Sequence, residues 1–259
     1  MQPAYVLHRW PYQEHSLIVE LFSAEQGRVR VVARGARRSK KGQAALLQPF
    51  RLLQVEWRGR SDLKTLTSVD TGEYVANLAG DYLYCGFYIN ELLQRLMPEH
   101  AAIPALFNDY QHTIDLLRQG LPMEPVLRKF EWRLLCHLEL EFDWQHEVEQ
   151  GEPMVADGVY YFRPGEGFAR VWHGREPTPH FSGADIARMA DFALQDPQLL
   201  NQFKFVMRRA LGAYLGNKPL RSRELFQGKP APGNSGITLE SNAGTASADD
   251  QTTDTNSKE

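Results

Sequence analysis

A chain of 259 residues with 42% hydrophobic and 11% aromatic content can bury a core of one large or two small domains. No run approaches the ~18 apolar residues of a membrane span, and Met1-Gln2-Pro3-Ala4-Tyr5 lacks the charged and apolar regions of a secretory leader, so neither a membrane partner nor export is expected. The net charge of −3 hides an uneven distribution: +7 over residues 1–67, −7 over 68–228 and −3 over 229–259.

Tyr5-Val6-Leu7 begins a first strand, and His15 to Ser23 (HSLIVELFS) reads as a second, with Trp10 and Tyr12 bracketing Pro11 in the turn between them. Ala24-Glu25-Gln26-Gly27 is a turn in which Gly27 suits a positive φ. From Arg28 to Arg34 cations alternate with apolar residues, the pattern of a half-buried strand with a cationic outer face. A basic loop follows from Gly35 to Gly42. Between positions 28 and 41, Arg28, Arg30, Arg34, Arg37, Arg38, Lys40 and Lys41 fill seven of fourteen places with no acid among them. Such a concentration of charge suits a polyanion. Phe50 to Trp57 and Leu63 to Val69 supply a fourth and a fifth strand. Five short strands in about seventy residues predict a small closed barrel of the oligonucleotide-binding (OB) type, with an SH3-like barrel as the competing shape.

After about residue 77 the apolar period becomes helical. Helices are expected over Asp81–Met97, with Asp81 as cap and Pro98 as stop, over Pro104–Leu117, and over Glu124–Leu140. Residues 143–173 interrupt them with a predicted β-hairpin, Val159-Tyr160-Tyr161-Phe162 against Phe168 to Trp172. Ser182 caps a further helix to Leu194, and Pro197 opens the last long one, ended by Gly216. The fold class is therefore α+β: a five-stranded OB-type barrel (1–77), then a mostly helical domain with a β insert (78–228). Residues 229–259 have no aromatics and are expected to be a disordered tail.

Cys85 and Cys136 lie in apolar helical patterns and read as buried thiols of a reducing cytosol. There is no GxxxxGK[ST] loop, HExxH or GxSxG. His137 reads as a core or boundary residue. His146 has no second ligand at metal spacing, so neither a metal nor a cofactor is expected. Trp10 and Trp57 stand beside cations and could stack bases or plug the barrel end, and Lys64 would extend the basic face. Five cations on the phosphates of a single strand would give a salt slope of about −3.5 in log K.

Four stretches resemble the RecO family of bacterial DNA repair and recombination proteins: Ala4–Leu7 with Glu14–Leu17; Phe22–Arg30 with Val32–Arg37; Tyr88–Leu93; and Tyr214–Arg223. Together they span about residues 4 to 226. The resemblance implies a non-enzymatic mediator that binds single- and double-stranded DNA, anneals complementary strands and, beside RecR, helps load RecA on gaps coated by single-stranded DNA-binding protein. It also implies docking onto that protein's acidic C-terminal tail, for which Arg128, with Leu134 and Leu138 as an apolar floor, is the candidate site. Some family members carry a four-cysteine zinc cluster in the insert; residues 143–172 hold no cysteine, so the chain resembles the zinc-free branch. The free protein is expected to be a cytoplasmic, nucleoid-associated monomer. An RNA-binding, translation-associated barrel is the second reading, and a Mg²⁺ nuclease using helical-domain acids is a third.

Overall fold

The computed structural model describes residues 1–39 and 42–227. Lys40, Lys41 and the tail expected over 229–259 lie outside the described residues.

Five strands close into a barrel: β1 (Gln2–Tyr12), β2 (Ser16–Ser23), β3 (Gly27–Ala33), β4 (Arg51–Arg58) and β5 (Leu63–Val75), in the order β1-β2-β3-β5-β4. β3 and β5 run parallel, and β4 closes on β1 through Gln2–Ala4. Alternation decides which way each residue faces. Leu17, Val19 and Leu21 of β2 fill the barrel with Val29, Val31 and Ala33 of β3, Leu53 and Val55 of β4, and Leu66 of β5. The intervening residues point outward. A short helix, α1 (Gln43–Leu46), leads to Leu47, which is buried in that same interior. Arg9 falls opposite the inward Val19, and its Nη1 donates to the Ala44 carbonyl (2.7 Å), tying α1 to β1.

Trp10 and Tyr12 do not lie in a turn as expected. They extend β1, opposite Ile18 and Ser16 of β2. β1 pairs with β4 only near its start. At Pro11 one edge is therefore unpaired, and a residue without an N–H is tolerated there.

The helical body comprises α2 (Gly80–Leu96), α3 (Pro104–Arg118), α4 (Met123–His137), α5 (Gly183–Ala190) and α6 (Pro197–Leu215), followed by a 3₁₀ turn (Arg221–Arg223) and α7 (Glu224–Gln227). Asp81 is not the cap of α2. That place falls to Ala79, with no side-chain bond, and Asp81 sits in the first turn, where its charge suits the helix dipole. Ser182 caps α5 and Asp196 caps α6, each side chain accepting a backbone N–H. α4 stops at His137, three residues before the expected end, and Glu139 takes a φ of 57°.

The insert is a three-stranded sheet, not a bare hairpin: β6 (Val159–Arg163) lies between β7 (Gly167–Arg170) and β8 (His180–Ser182). Aromatic rings hold it to the helices. Phe142 contacts Trp144 and Phe162 at centroid distances of 4.6 and 4.8 Å, and Trp144 stacks on Phe203 of α6 at 5.5 Å.

Barrel and body share one core. Tyr5 and Phe22 point outward from the barrel and pack against Phe107 and Tyr110 of α3. Asn90 of α2 is buried and donates to the Leu7 carbonyl (3.0 Å), while Tyr110 donates to its Oδ1 (2.8 Å). His100 N–H donates to the Arg28 carbonyl. Gly27, at φ 67°, lies so close to Ala101 that a Cβ there would stand 1.9 Å from the Ala101 oxygen.

Candidate nucleic-acid interface

The barrel registers sort the basic residues into two groups. Arg28 and Arg30 point outward from β3 but face the helical body. Arg28 pairs with the buried Glu20 at 2.5 Å, and its Nε donates to the Met97 carbonyl. Arg30 pairs with Glu99 at 2.5 Å, and Arg28 lies 3.7 Å from the same carboxylate. Both were expected on the open cationic face. The structure corrects this: their charges are met by Glu20 and Glu99, and Arg28 fastens the barrel to the loop after α2.

The second group lies at the far end of β3. Beyond Ala33 the chain turns back towards the β1–β2 connection: Arg37 N–H donates to the His15 carbonyl (3.0 Å), and Gly35 N–H donates to Ser16 Oγ (3.4 Å). Arg37 Nη1 donates to the Glu14 carbonyl (3.2 Å), and Arg38 Nη1 to His15 Nε2 (2.9 Å). None of these partners is a carboxylate, so the loop is held in place without an ion pair to Arg37 or Arg38. Arg34, Arg37 and Arg38 are exposed, and none has a carboxylate within ion-pair distance among the described residues.

Across the barrel wall, one outward row runs Trp10–Ile18–Val32–Thr65–Arg58 over strands β1, β2, β3, β5 and β4. Trp10 is 38% exposed and meets the His8 ring edge-on at 4.5 Å. Arg58 and Arg60 are exposed at the β4 end of the row, and neither has a carboxylate within ion-pair distance among the described residues. Sequence reading noted them only as the cations beside Trp57 and did not count them in the site; their place at the end of a strand of alternating residues was the available signal. Trp57, by contrast, is half-buried and packs on the barrel interior, the plugging role rather than the stacking one. Lys64 falls opposite the inward Val31, two residues before the buried Leu66, and its ammonium lies 3.5 Å from the Ser61 carbonyl. It belongs to the barrel rim and not to the outward row of Arg30.

The expected tail dock is closed. Arg128 is 4% exposed and pairs with the fully buried Glu131 at 2.5 Å, and the Tyr88 hydroxyl donates to the same carboxylate oxygen (2.6 Å). Leu134 is buried and Leu138 half-buried against the same core. The expectation placed Arg128 on the surface of α4. Instead its position on the helix faces inward, one turn before its partner acid, so in this conformation it cannot rim an external pocket.

The histidines and acids set aside earlier form local structural clusters. His137 and Arg133 both contact Asp109 Oδ2, at 2.7 and 2.9 Å. Partial burial would raise the Asp109 pKa, but these two bonds outweigh it and hold the carboxyl below the usual value. His146 bonds to Asp143. Among the described residues no group of three or more His, Cys, Asp or Glu is placed to hold a metal ion. Cys85 and Cys136 are free thiols, and burial, with Asp81 adding to it, pushes Cys85 up to about 11.

Comparison with known proteins matches residues 1–74 to the family described as "Recombination protein O N terminal" and residues 78–224 to "Recombination protein O C terminal". The chain belongs to the RecO family. It is similar to the DNA repair protein RecO of Idiomarina loihiensis, 46% identical over 229 residues, covering 88% of this chain and 97% of the relative. The DNA repair protein RecO of Pseudomonas putida is 45% identical over 226 residues (87% and 96%), and that of Cellvibrio japonicus 40% over 228 (87% and 96%). Two of the stretches behind the resemblance meet in this RecO-family fold: Glu91, beside Asn90, accepts the backbone N–H groups of Arg221 and Ser222 (2.9 and 2.8 Å) and the Ser222 hydroxyl.

Proposed function

We propose that this RecO-family chain is a recombination mediator in DNA repair: it holds DNA on the distal end of its barrel, anneals complementary single strands, and acts with RecR to load RecA on gaps coated by single-stranded DNA-binding protein. One observation carries the reading. Arg34, Arg37, Arg38, Arg58 and Arg60 stand exposed and, among the described residues, without carboxylate partners at the end of an OB-type barrel, beside the exposed ring of Trp10. Such a surface grips the sugar–phosphate chain and tolerates any base sequence, as annealing requires. It binds both single and double strands, because both present phosphates.

The role is one of binding, not bond cleavage, and it is carried out in the cytoplasm on nucleoid DNA. The protein works as a monomer until it meets RecR. It also docks the acidic tail of the coating protein on its helical body. Arg128, Leu134 and Leu138 could take part only after the α4 packing opens.

The test is annealing of two complementary labelled oligonucleotides, bare and coated with single-stranded DNA-binding protein, followed by energy transfer. The wild type should accelerate both reactions, and Arg34→Glu/Arg37→Glu neither. Equal acceleration by the variant would remove this end of the barrel from the function. A coating protein lacking its terminal residues should lose the coated reaction only.

A further inference from the structure

The Tyr214–Arg223 stretch is unexplained by a DNA site confined to the barrel. Gly216, Lys218, Leu220 and Arg223 of this stretch, with Arg208 and Gly212 of α6, line a cavity of about 180 Å³ where α6 ends. Arg208 and Lys218 are exposed and Arg223 is half-buried. Among the described residues none has an ion-pair partner and no acid lines the cavity.

Gly212 lies inside α6, where glycine is a poor helix former. A Cβ added there would meet nothing within 4 Å, so no packing contact of the fold requires its absence. A helical glycine with open space above it and cations around it is suited to the close approach of a ligand to the backbone. The donors on hand are guanidinium and ammonium groups, which select an anion.

Hydrogen bonds also tie the segment that lines the cavity to the barrel. Arg221 is fixed by Glu91. Its neighbour Asn90 is fixed to the carbonyl of Leu7, and His8 follows Leu7 on the outward side of β1, in edge contact with Trp10. Arg221 is thus joined through Glu91, Asn90 and Leu7 to the strand that carries the His8–Trp10 pair.

We infer that a DNA strand held at the distal end of the barrel continues past Trp10 and His8 to Arg221, and seats a phosphate in the α6-end cavity between Arg208, Lys218 and Arg223. This rests on the barrel reading above and extends it: the helical body contributes the second half of one polyanion track. A separate acidic-peptide pocket is the competing occupant. The hydrogen-bonded tie to the Trp10 strand and a glycine-lined floor favour DNA.

Length of DNA separates the possibilities. OB folds cover about 4–16 nucleotides, so an oligomer of about 6 should occupy the barrel alone, and one of about 25 should reach both sites. We would titrate both lengths by fluorescence anisotropy against wild type, Arg208→Glu/Lys218→Glu, Gly212→Gln, and Arg34→Glu/Arg37→Glu. The helical-body pair should weaken the long oligomer at least tenfold and the short one less than twofold. Gly212→Gln, which alters no charge and whose Cβ meets nothing within 4 Å, should weaken the long oligomer several-fold. Thermal unfolding of each variant confirms that it folds. If the helical-body variants bind both lengths like wild type, the track does not exist, whatever the barrel variant does. The same holds if they lose only an acidic peptide ending in a free carboxylate. If instead the barrel variant alone is unaffected, the barrel reading fails, and long-oligomer loss in the helical-body variants then marks an isolated site, which also overturns the continuous track.

Discussion

Neutralising Arg34 and Arg37 together, as Arg34→Gln/Arg37→Gln, should weaken single-stranded DNA binding by a calculable amount. Each phosphate contact contributes about −0.7 to the slope of log K against log salt on a single strand. Between 1 M and 0.1 M salt one contact is then worth about 0.7 log units, close to 1 kcal/mol, and two are worth about 25-fold. The slope itself should fall in magnitude by about 1.4. Arg30→Gln is the matched control, because Arg30 already spends its charge on Glu99 at 2.5 Å. It should change affinity less than about twofold and leave the slope alone, despite lying on the same basic strand. Anisotropy titrations of one labelled oligonucleotide at four salt concentrations would measure both quantities, with unfolding curves to show that the loop bonds of Arg37 are not needed for stability. An unchanged slope in the double variant, or an equal drop in Arg30→Gln, would refute the division of the cations into paired and unpaired groups.

Three further outcomes concern the frame that carries the site. Gly27→Ala places a methyl group 1.9 Å from the Ala101 oxygen at a φ of 67°, so the barrel and the body cannot both keep their positions; chemical denaturation should show a loss of about 3 kcal/mol or more. Glu131→Ala strands the buried Arg128 guanidinium and should lower stability by about 3–5 kcal/mol in the same assay, whereas Arg128→Met/Glu131→Leu should recover most of it. Because the Asp109 carboxyl titrates below its ordinary value, its contribution is present above pH 4 and is lost as pH falls through the depressed folded value. The urea midpoints of wild type and Asp109→Asn should therefore differ at pH 7 and draw together as the pH falls below the ordinary carboxylate range.

The barrel was legible because two-residue alternation in Leu17–Leu21 and Val29–Ala33 states both the strand and its inward face. The helices were legible from their apolar period and from caps such as Ser182. What alternation could not say is which outward cations meet an acid. Glu99 is 69 residues from Arg30, and only the packing of the body on the barrel brings them together. Arg128 misled for a related reason. A charged residue usually marks an exposed helix face, yet Glu131 one turn on and Tyr88 from α2 make a buried place for it. β8, the third strand of the insert, is three residues long and reaches β6 from beyond a proline-containing loop, so no local pattern announces it. The extension of β1 through Trp10-Pro11-Tyr12 was hidden because proline reads as a break wherever the strand's pairing partners are unknown.

Asn90 and Glu91 are consecutive residues of one rigid helix, yet they hold opposite things: the first grips β1 of the barrel, the second the segment that follows α6. The spacing between those two surfaces is thereby fixed before any ligand arrives. A long polyanion lying across both would lose its own freedom but would not have to immobilise a hinge in the protein, so the entropic penalty falls almost entirely on the nucleic acid. A loosened Asn90 should then be felt first as weaker gripping of long strands, with short ones bound as before.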